Sequence, residues 1–282
     1  MTTEPGLFWL ASYPKSGNTW FRLVLARLKN PSAPLDLNNI HTGAIASARG
    51  FVDETLGFDS ALLTHDEIDC LRPAVYAWQG KEHTGYHKIH DAYTMIDSNS
   101  PMIPSEGCLG ALYFVRNPLD VAISFANHSN CSIDDAITHL GNPNFAFCNN
   151  PRKQAPQLRQ RLLSWSLHVQ SWTTNVPVPL MVIRYEDLLN TPLPTFTKAF
   201  QFLRIDTSQA AIEAAIEETH INKLQDLEKQ SGFQERPLNV KQFFRKGIVG
   251  DWKNTLTDAQ MTRIIGDHED VMARFGYLEK SI

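Results

Sequence analysis

The sequence predicts an α/β fold, a single domain in which a central parallel sheet is flanked by helices. Three apolar runs support this prediction, and they begin near residues 7, 109 and 180. Each run is followed by a polar turn and then by a segment with helical periodicity. Repetition of strand, turn and helix is typical of parallel sheets, whose ligands bind at the carboxyl ends of the strands. Functional residues are therefore expected in these turns.

Length and composition agree with one domain spanning residues 1–282. The chain has 282 residues, 43% of them apolar, and no internal repeat, low-complexity tract or linker divides it. Its 26 basic and 30 acidic residues give a net charge of −4. Such a chain has no general attraction for nucleic acid or anionic membranes, so we expect no nucleic-acid partner and only a local anion site.

Cysteine spacing and apolar runs predict a cytoplasmic protein. The four cysteines form no C-x-x-C pair, so they indicate neither a metal site nor a disulfide framework, and we expect reduced thiols. The first strand begins by Leu7, which leaves no room for a signal peptide, and no later apolar run reaches membrane-spanning length. We therefore expect neither export nor a membrane anchor.

The first turn, residues 13–20, has the composition of an anion-binding loop. Backbone N–H groups at the start of the following helix have no carbonyl partner within it, and the helix dipole adds partial positive charge there. Gly17 lets the backbone approach an anion, and Lys15 adds a full positive charge. The hydroxyl groups of Ser16 and Thr19 are further donors. The lysine precedes the glycine, unlike in a Walker loop, which argues against an ordinary ATP or GTP site. Taken alone, the segment would more simply be a turn between strand and helix that happens to contain lysine and glycine.

A lysine and a histidine lie two residues apart in the mixed run 86–91, which is predicted to be a strand with a polar end. Lys88 and His90 point to the same side of such a strand. Together they can supply an anion contact and a proton acceptor. His90 is also one of ten histidines, and a surface or capping contact is the simpler interpretation when it is taken alone.

Two further segments add positive charge. Arg116 follows the second apolar run, and Ser124 lies on the second turn of the next helix, so the pair could converge on one anion. Near the C-terminus, Arg245 and Lys246 precede two glycines in the run 247–250, where the backbone is free to wrap an anion.

The remaining pattern predicts elements that cover the sheet. They are a short helix over 65–71, a short strand over 74–78, loops over 129–156, an amphipathic helix with the stripe Leu158, Leu162, Trp165, Val169 and Trp172, a buried strand over 180–183, helices through 196–203 and 211–219, and a final helix with Thr257 and Gln260 as a capping box.

Three segments in this order resemble the sulfotransferases that use 3′-phosphoadenosine 5′-phosphosulfate (PAPS). They are YPKSGNTW at 13–20, YFVRNPLDVAISFANH at 113–128 and FFRKGIVGDWKNTLT at 243–257. The resemblance runs from about Leu7 to Phe275 and is closest in layout to the cytosolic and bacterial small-molecule branch. It implies a P-loop-like nucleotide-binding core and an enzyme of the EC 2.8.2 type. PAPS would be the co-substrate, adenosine 3′,5′-bisphosphate (PAP) the product, and no metal would be needed.

The resemblance also implies roles for single residues. His90 would be the catalytic base, Lys88 would contact the sulfonate, and Lys15 would reach the oxygen that bridges phosphate and sulfur. The implied nucleotide-binding residues are Lys15, Ser16, Gly17, Asn18, Thr19 and Trp20 at the 5′-phosphosulfate, Arg116, Ser124, Arg245, Lys246 and Gly247 at the 3′-phosphate, and Tyr185 and Thr219 on the adenine side.

The sequence departs from the family pattern in two places. Ile89 replaces the threonine of K-T-H, which is tolerable because this side chain alternates away from the site. The dimer motif of the animal enzymes is not intact, since valine and glutamate are replaced by Asp258 and Thr262. The oligomeric state therefore stays open.

The acceptor is not identified by any motif. It would be a hydroxyl, less readily an amine, of a small molecule or natural product, in a pocket from residues 35–85 and 127–156. Two alternatives remain: a P-loop-type nucleotide kinase, and a nucleotide-binding module that has lost catalysis. The absence of a Walker lysine weighs against the kinase, and the presence of Lys15, Lys88 and His90 together favours an active enzyme.

Overall fold

The computed structural model describes residues 4–98 and 100–278 and has the predicted α/β architecture. The strands are β1 (Leu7–Ser12), β2 (Gly85–Ile89), β3 (Cys108–Val115), β4 (Ala146–Phe147), β5 (Gln160–Arg161) and β6 (Leu180–Arg184). The helices are α1 (Asn18–Lys29), α2 (Arg49–Leu56), α3 (His65–Glu82), α4 (Pro118–Ser129), α5 (Ile133–Gly141), α6 (Trp165–Thr173), α7 (Tyr185–Asn190), α8 (Pro192–Phe202), α9 (Gln209–Glu218), α10 (Ile221–Ser231) and α11 (Asp258–Arg274). None of the helices in the described ranges is both long and apolar enough to cross a membrane.

The central sheet confirms the prediction of parallel strands. Within the described residues its strand order is β2-β1-β3-β6, and β1 pairs with β2 in parallel. All six residues of β1 are buried, as expected for a strand with both faces covered. The third predicted strand exists as β6, but the expectation that it is buried was wrong. It lies at the edge of the sheet, and Val182 is 37% exposed.

The described residues form two compact units. The first comprises residues 4–13, 43–98, 100–113 and 142–182, and the second comprises residues 14–42, 114–141 and 183–278. In the first unit Trp9 packs edge-on against Tyr76, with ring centroids 5.0 Å apart. In the second unit Phe21 stacks on Phe196 at 5.4 Å. Each unit therefore has an aromatic core of its own.

Three predicted elements between the motifs were wrong. The helix predicted over 65–71 exists but is longer than predicted, whereas the predicted strand over 74–78 is part of the same 18-residue helix, α3, which continues through Pro73. Its buried residues Ile68, Val75 and Tyr76 share one face, and this packing outweighs the hydrogen bond lost at the proline. The segment predicted as loops contains α5, and the predicted helix from Leu158 begins only at Trp165.

Candidate functional site

The turn between β1 and α1 has the geometry of an anion cradle. The helix begins at Asn18, and its N-cap, Gly17, supplies no side chain to the first N–H groups. The hydroxyl oxygen of Ser16 is buried and has no hydrogen-bond partner among the described residues. A buried hydroxyl without a partner is costly unless a ligand binds it. The turn therefore fits a phosphate or sulfate ester.

Two residues of this turn have left-handed backbone conformations. Lys15 has φ 71° and Gly17 has φ 99°. A Cβ on Gly17 would lie 2.6 Å from Cδ2 of Tyr185, so only glycine fits both the conformation and the space. The Lys15 ammonium lies 3.8 Å from the centroid of the Phe243 ring. The turn thus lies next to the segments of Tyr185 and Phe243, for which the family resemblance implies nucleotide binding.

Arg116 contacts three of the predicted nucleotide-binding segments. Its Nη1 donates to the carbonyl oxygen of Lys15 at 3.1 Å, and its Nη2 donates to that of Ile248 at 3.1 Å. Its guanidinium carbon lies 4.3 Å from the ring centroid of Tyr185. The side chain is nearly buried, and Nε has no hydrogen-bond partner among the described residues. One donor of this guanidinium is therefore left for a ligand.

Arg245 and Lys246 share a carboxylate in the loop after α10. Arg245 Nη2 lies 2.6 Å from one oxygen of Asp251, and Lys246 Nζ lies 2.5 Å from the other. Burial alone would raise the pKa of the Asp251 carboxyl, but the hydrogen bonds and charges of Lys246 and Arg245 outweigh it and hold the pKa below its usual value. The following residue, Gly247, has φ 62°, which lets the chain turn beside these cations.

The remaining predicted nucleotide residues differ in how accessible they are. Trp20 Nε1 donates to the hydroxyl oxygen of Thr219 at 3.3 Å. Thr219 is fully buried and donates in turn to the carbonyl oxygen of Ala215, so its hydroxyl is already used within the protein. Ser124 is partly buried on the second turn of α4, and Thr19 is partly buried in the first turn of α1.

In the first unit, Lys88 and His90 lie at the carboxyl end of β2. Lys88 is in the strand opposite Leu10 of β1, and His90 is the first residue after the strand. The His90 ring is held by Ser12, the last residue of β1: Nδ1 lies 2.8 Å from the Ser12 carbonyl oxygen and 3.2 Å from Oγ. Because a carbonyl oxygen only accepts, Nδ1 must be the protonated nitrogen. The neutral ring then has its lone pair on Nε2.

These groups suit charge stabilisation and proton transfer. Hydroxyl, ammonium and guanidinium donors around a helix N-terminus fit a phosphorylated nucleotide, and an imidazole with a lone pair on Nε2 is a proton acceptor. In residues 4–98 and 100–278 no three His, Cys, Asp or Glu side chains are grouped closely enough to hold a metal ion.

A family model described as Sulfotransferase domain matches residues 5–276. The chain belongs to the sulfotransferase family. The prediction made from the three sequence segments is thereby confirmed, and with it the assignment to transferases of the sulfotransferase type.

Curated relatives match this sulfotransferase over most of their length. Cytosolic sulfotransferase 17 of Arabidopsis thaliana is 24% identical over 98% of this chain and 77% of its own length. Flavonol 3-sulfotransferase of Flaveria bidentis is 25% identical over 93% of this chain and 80% of its own.

Two crystal structures share the fold of this sulfotransferase. Mouse sulfotransferase SULT7A1 complexed with PAP is 20% identical, with 96% of this chain and 86% of that chain covered, at a TM-score of 0.59. Retinol dehydratase in complex with androsterone and PAP is 16% identical, with 96% and 82% covered, at a TM-score of 0.63.

Sequence reasoning missed the residues that support the late loop of this sulfotransferase. Glu228 of α10 accepts hydrogen bonds from the backbone N–H groups of Phe243 at 2.8 Å and Phe244 at 3.0 Å. Gln225, one turn earlier, donates to the carbonyl oxygens of Phe244 and Arg245 at 3.0 and 2.7 Å. The helix therefore fixes the backbone immediately before Arg245 and Lys246.

The other end of the late loop is fixed by α4. Asp120 is almost fully buried and accepts from the backbone N–H groups of Gly250 at 2.8 Å and Trp252 at 3.1 Å. The sequence offered a signal for this role, because Asp120 has apolar neighbours in the predicted helix. A carboxylate that such a helix buries must find hydrogen-bond donors elsewhere in the fold. Asp120 thus connects the loop to the helix that contains Ser124.

Proposed function

We propose that this sulfotransferase moves a sulfuryl group from PAPS to a hydroxyl group, less readily an amine, of a small-molecule acceptor. The main support is Arg116, whose guanidinium contacts the Lys15 carbonyl, the Ile248 carbonyl and the Tyr185 ring within one unit. The three segments that resemble the family's nucleotide-binding motifs are thus neighbours in space. Two fold relatives were crystallised with PAP, which agrees with this choice of donor.

The donor would be held through its two phosphate ends. The helix N-terminus after Gly17, with Lys15, Ser16, Asn18 and Thr19, would hold the 5′-phosphosulfate, because uncapped N–H groups and a buried hydroxyl are available there. The 3′-phosphate would lie at Arg116, Ser124, Arg245, Lys246 and Gly247, and the adenine side at Trp20, Tyr185 and Thr219. Thr219 would contribute to the shape of the adenine site and would not bind adenine through its hydroxyl group, since that group donates to the Ala215 carbonyl oxygen.

His90 would act as the general base. Its Nε2 would take the proton of the acceptor hydroxyl as the acceptor oxygen forms its bond to sulfur. The bond between sulfur and the bridging oxygen breaks, and its electron pair leaves with the phosphate of PAP. Lys15 would offset the charge on that oxygen, and Lys88 would contact the sulfonate during transfer. Ser12 holds the His90 ring in the tautomer that this role needs.

The acceptor class and the location are proposed from the names of the relatives. One relative is named flavonol 3-sulfotransferase, which agrees with a hydroxylated small-molecule acceptor. Several relatives are named cytosolic, so we propose a cytoplasmic location. We also propose one sulfotransferase domain over residues 1–282, in agreement with a family match that covers residues 5–276.

Calorimetry with four nucleotides tests the donor. PAPS and PAP should bind much more tightly than ATP or 5′-AMP, because only PAPS and PAP have the 3′-phosphate that Arg116, Arg245 and Lys246 would bind. Equal affinity for 5′-AMP and PAP would contradict the proposed 3′-phosphate site. Tight binding of ATP alone would favour a nucleotide kinase, and tight PAPS binding without turnover on any hydroxylated acceptor would favour an inactive module.

A further inference from the structure

We propose that helix α6 positions His90 for catalysis, with His168 and Trp172 as its positioning residues. The proposal rests on the proposed role of His90 as the general base. It concerns residues that do not touch the reacting atoms and that act through the backbone of the histidine.

The first contact is between two histidines. His168 is fully buried, and its Nε2 lies 3.0 Å from the carbonyl oxygen of His90. Its Nδ1 lies 2.8 Å from the hydroxyl of Tyr113. Since the carbonyl only accepts, His168 must donate through Nε2 and accept from Tyr113 through Nδ1. Burial lowers the pKa of His168 to about 4, so the ring stays neutral at neutral pH and keeps this pattern of one donor and one acceptor.

The same helix holds the next residues of the segment. Trp172, one turn after His168, donates its Nε1–H to the carbonyl oxygen of Asp91 at 3.0 Å. Ser171 accepts from the backbone N–H of Tyr93 at 3.0 Å. Three side chains of α6 therefore satisfy backbone groups of three of the first four residues after β2.

The side chain of Asp91 fixes the segment from another direction. Arg72 of α3 pairs with it through Nη1 at 3.2 Å and Nη2 at 2.6 Å, and the backbone N–H of Arg161 donates to it at 3.0 Å. Both Arg72 and Asp91 are fully buried. The residue after His90 is thus held by its carbonyl group and by its carboxylate, and it cannot shift without breaking a buried ion pair.

This network bears on the reaction because the ring of His90 has to be placed precisely enough for proton transfer. Its Nδ1–H reaches the Ser12 carbonyl only while the His90 backbone keeps its present orientation. That bond in turn sets the tautomer with the lone pair on Nε2. A misplacement of about 1 Å in a catalytic group can cost about 100-fold in rate. Loss of the His168 donor should therefore lower turnover with little effect on donor binding.

Two substitutions at His168 separate hydrogen bonding from packing. His168→Phe keeps a ring of similar size but removes the donor, whereas His168→Gln keeps an N–H group near the place of Nε2. With saturating PAPS and 4-nitrophenol as acceptor, we expect kcat to fall about 10- to 100-fold in His168→Phe. PAP affinity should stay within about twofold, and His168→Gln should recover most of kcat. A purely structural role would not distinguish the two variants at temperatures where both are folded.

A matched pair of tryptophans in α6 provides the control. Trp165 and Trp172 are both fully buried, but Trp172 is the one that donates to the Asp91 carbonyl. Trp172→Phe should lower kcat, and Trp165→Phe should lower thermal stability with kcat nearly unchanged. Equal effects of the two substitutions on kcat, full kcat in His168→Phe, or no recovery in His168→Gln would each overturn the proposal.

A spectroscopic readout keeps this test separate from the proposed function. In protein labelled with ¹⁵N-histidine, long-range ¹H–¹⁵N spectra should show His90 with the proton on Nδ1 in the wild type and a mixture of tautomers in His168→Phe. A wild type that transfers no sulfate to 4-nitrophenol or other hydroxylated acceptors would contradict the proposed function, while the spectra would still decide on positioning. An unchanged His90 tautomer in a folded His168→Phe variant would overturn the positioning role.

Discussion

Replacing Arg116 with alanine is expected to weaken binding of PAP by about 2 to 4 kcal/mol, which is about 30- to 900-fold in Kd. The value is the usual loss when one partner of a desolvated, charge-assisted pair is removed. The Arg116 side chain fits that situation, because the residue is 8% exposed and Nε is buried without a partner among the described residues.

The same substitution also removes contacts within the protein. Two hydrogen bonds of 3.1 Å to backbone carbonyls and the contact with the Tyr185 ring at 4.3 Å would be lost. Because the two carbonyls are partly compensated by water after the change, we expect the free energy of unfolding to fall by about 1 to 3 kcal/mol. The variant should therefore fold, and its binding can be measured below its own unfolding transition.

The assay compares two nucleotides that differ in one phosphate. If Arg116 binds the 3′-phosphate, Arg116→Ala should lower affinity for PAP much more than affinity for 5′-AMP. Arg184→Ala is the matched control. Arg184 also lies at the end of a strand, β6, and its guanidinium carbon lies 4.8 Å from the ring centroid of Tyr277. Equal losses for PAP and 5′-AMP, or wild-type PAP affinity in a folded Arg116→Ala variant, would refute the assignment.

Two further predictions concern support of the site and stability. Glu228→Gln leaves one carbonyl oxygen for two backbone donors of the late loop, so the affinity for PAP, measured by calorimetry, should fall about 3- to 10-fold. The kcat at saturating PAPS should stay unchanged. An unaltered Kd for PAP would show that the loop is ordered without this carboxylate. The second follows from His168, whose pKa is lowered by burial to about 4 in the folded state against 6.5. Between these two pH values the unfolded chain binds a proton at His168 that the folded chain does not. The contribution of His168 to the free energy of unfolding is therefore complete above pH 6.5 and decreases as the pH drops toward 4. The decline due to this residue is up to about 1.4 kcal/mol per pH unit, and urea unfolding at several pH values should show it missing in His168→Gln.

The elements around the proposed nucleotide site were the most predictable part of the fold. Their signals are local: an apolar run, a glycine or proline at the turn, and a helical stripe. Pro118 at the first helical position and the capping box of Thr257 with Gln260 are of this kind, and both are present. The wrong predictions came where one local signal was given too much weight. The predicted helix stopped at residue 71 and a strand was predicted after it, although Ile68, Val75 and Tyr76 continue one buried stripe across Pro73.

Helix α5 was missed for a similar reason. The Asn, Pro and Cys content of the surrounding segment suggested loops, yet Ser132 and Asp135 form reciprocal hydrogen bonds at the start of the helix. Ala136, Ile137 and Leu140 then supply its buried face. A capping pair followed by an apolar stripe was a readable signal.

The supporting residues of the proposed site were less predictable in principle. Glu228 lies 15 residues before its first loop partner, and His168 lies 78 residues from His90. Neither spacing has a local pattern, because these contacts arise only when the helices pack. Residue types in the motifs therefore indicated the chemistry, whereas the groups that orient them became visible only in three dimensions.

The most direct test of the account is the rate of sulfate transfer by His90→Ala. With ³⁵S-labelled PAPS at saturation and an acceptor that the wild type uses, kcat should fall about 100-fold or more, and PAP affinity should stay nearly unchanged. Lys15→Ala should instead lower both, since Lys15 would contact the donor before reaction and the leaving oxygen during it. A folded His90→Ala enzyme that transfers sulfate at the wild-type rate would contradict the assignment of His90 as the base.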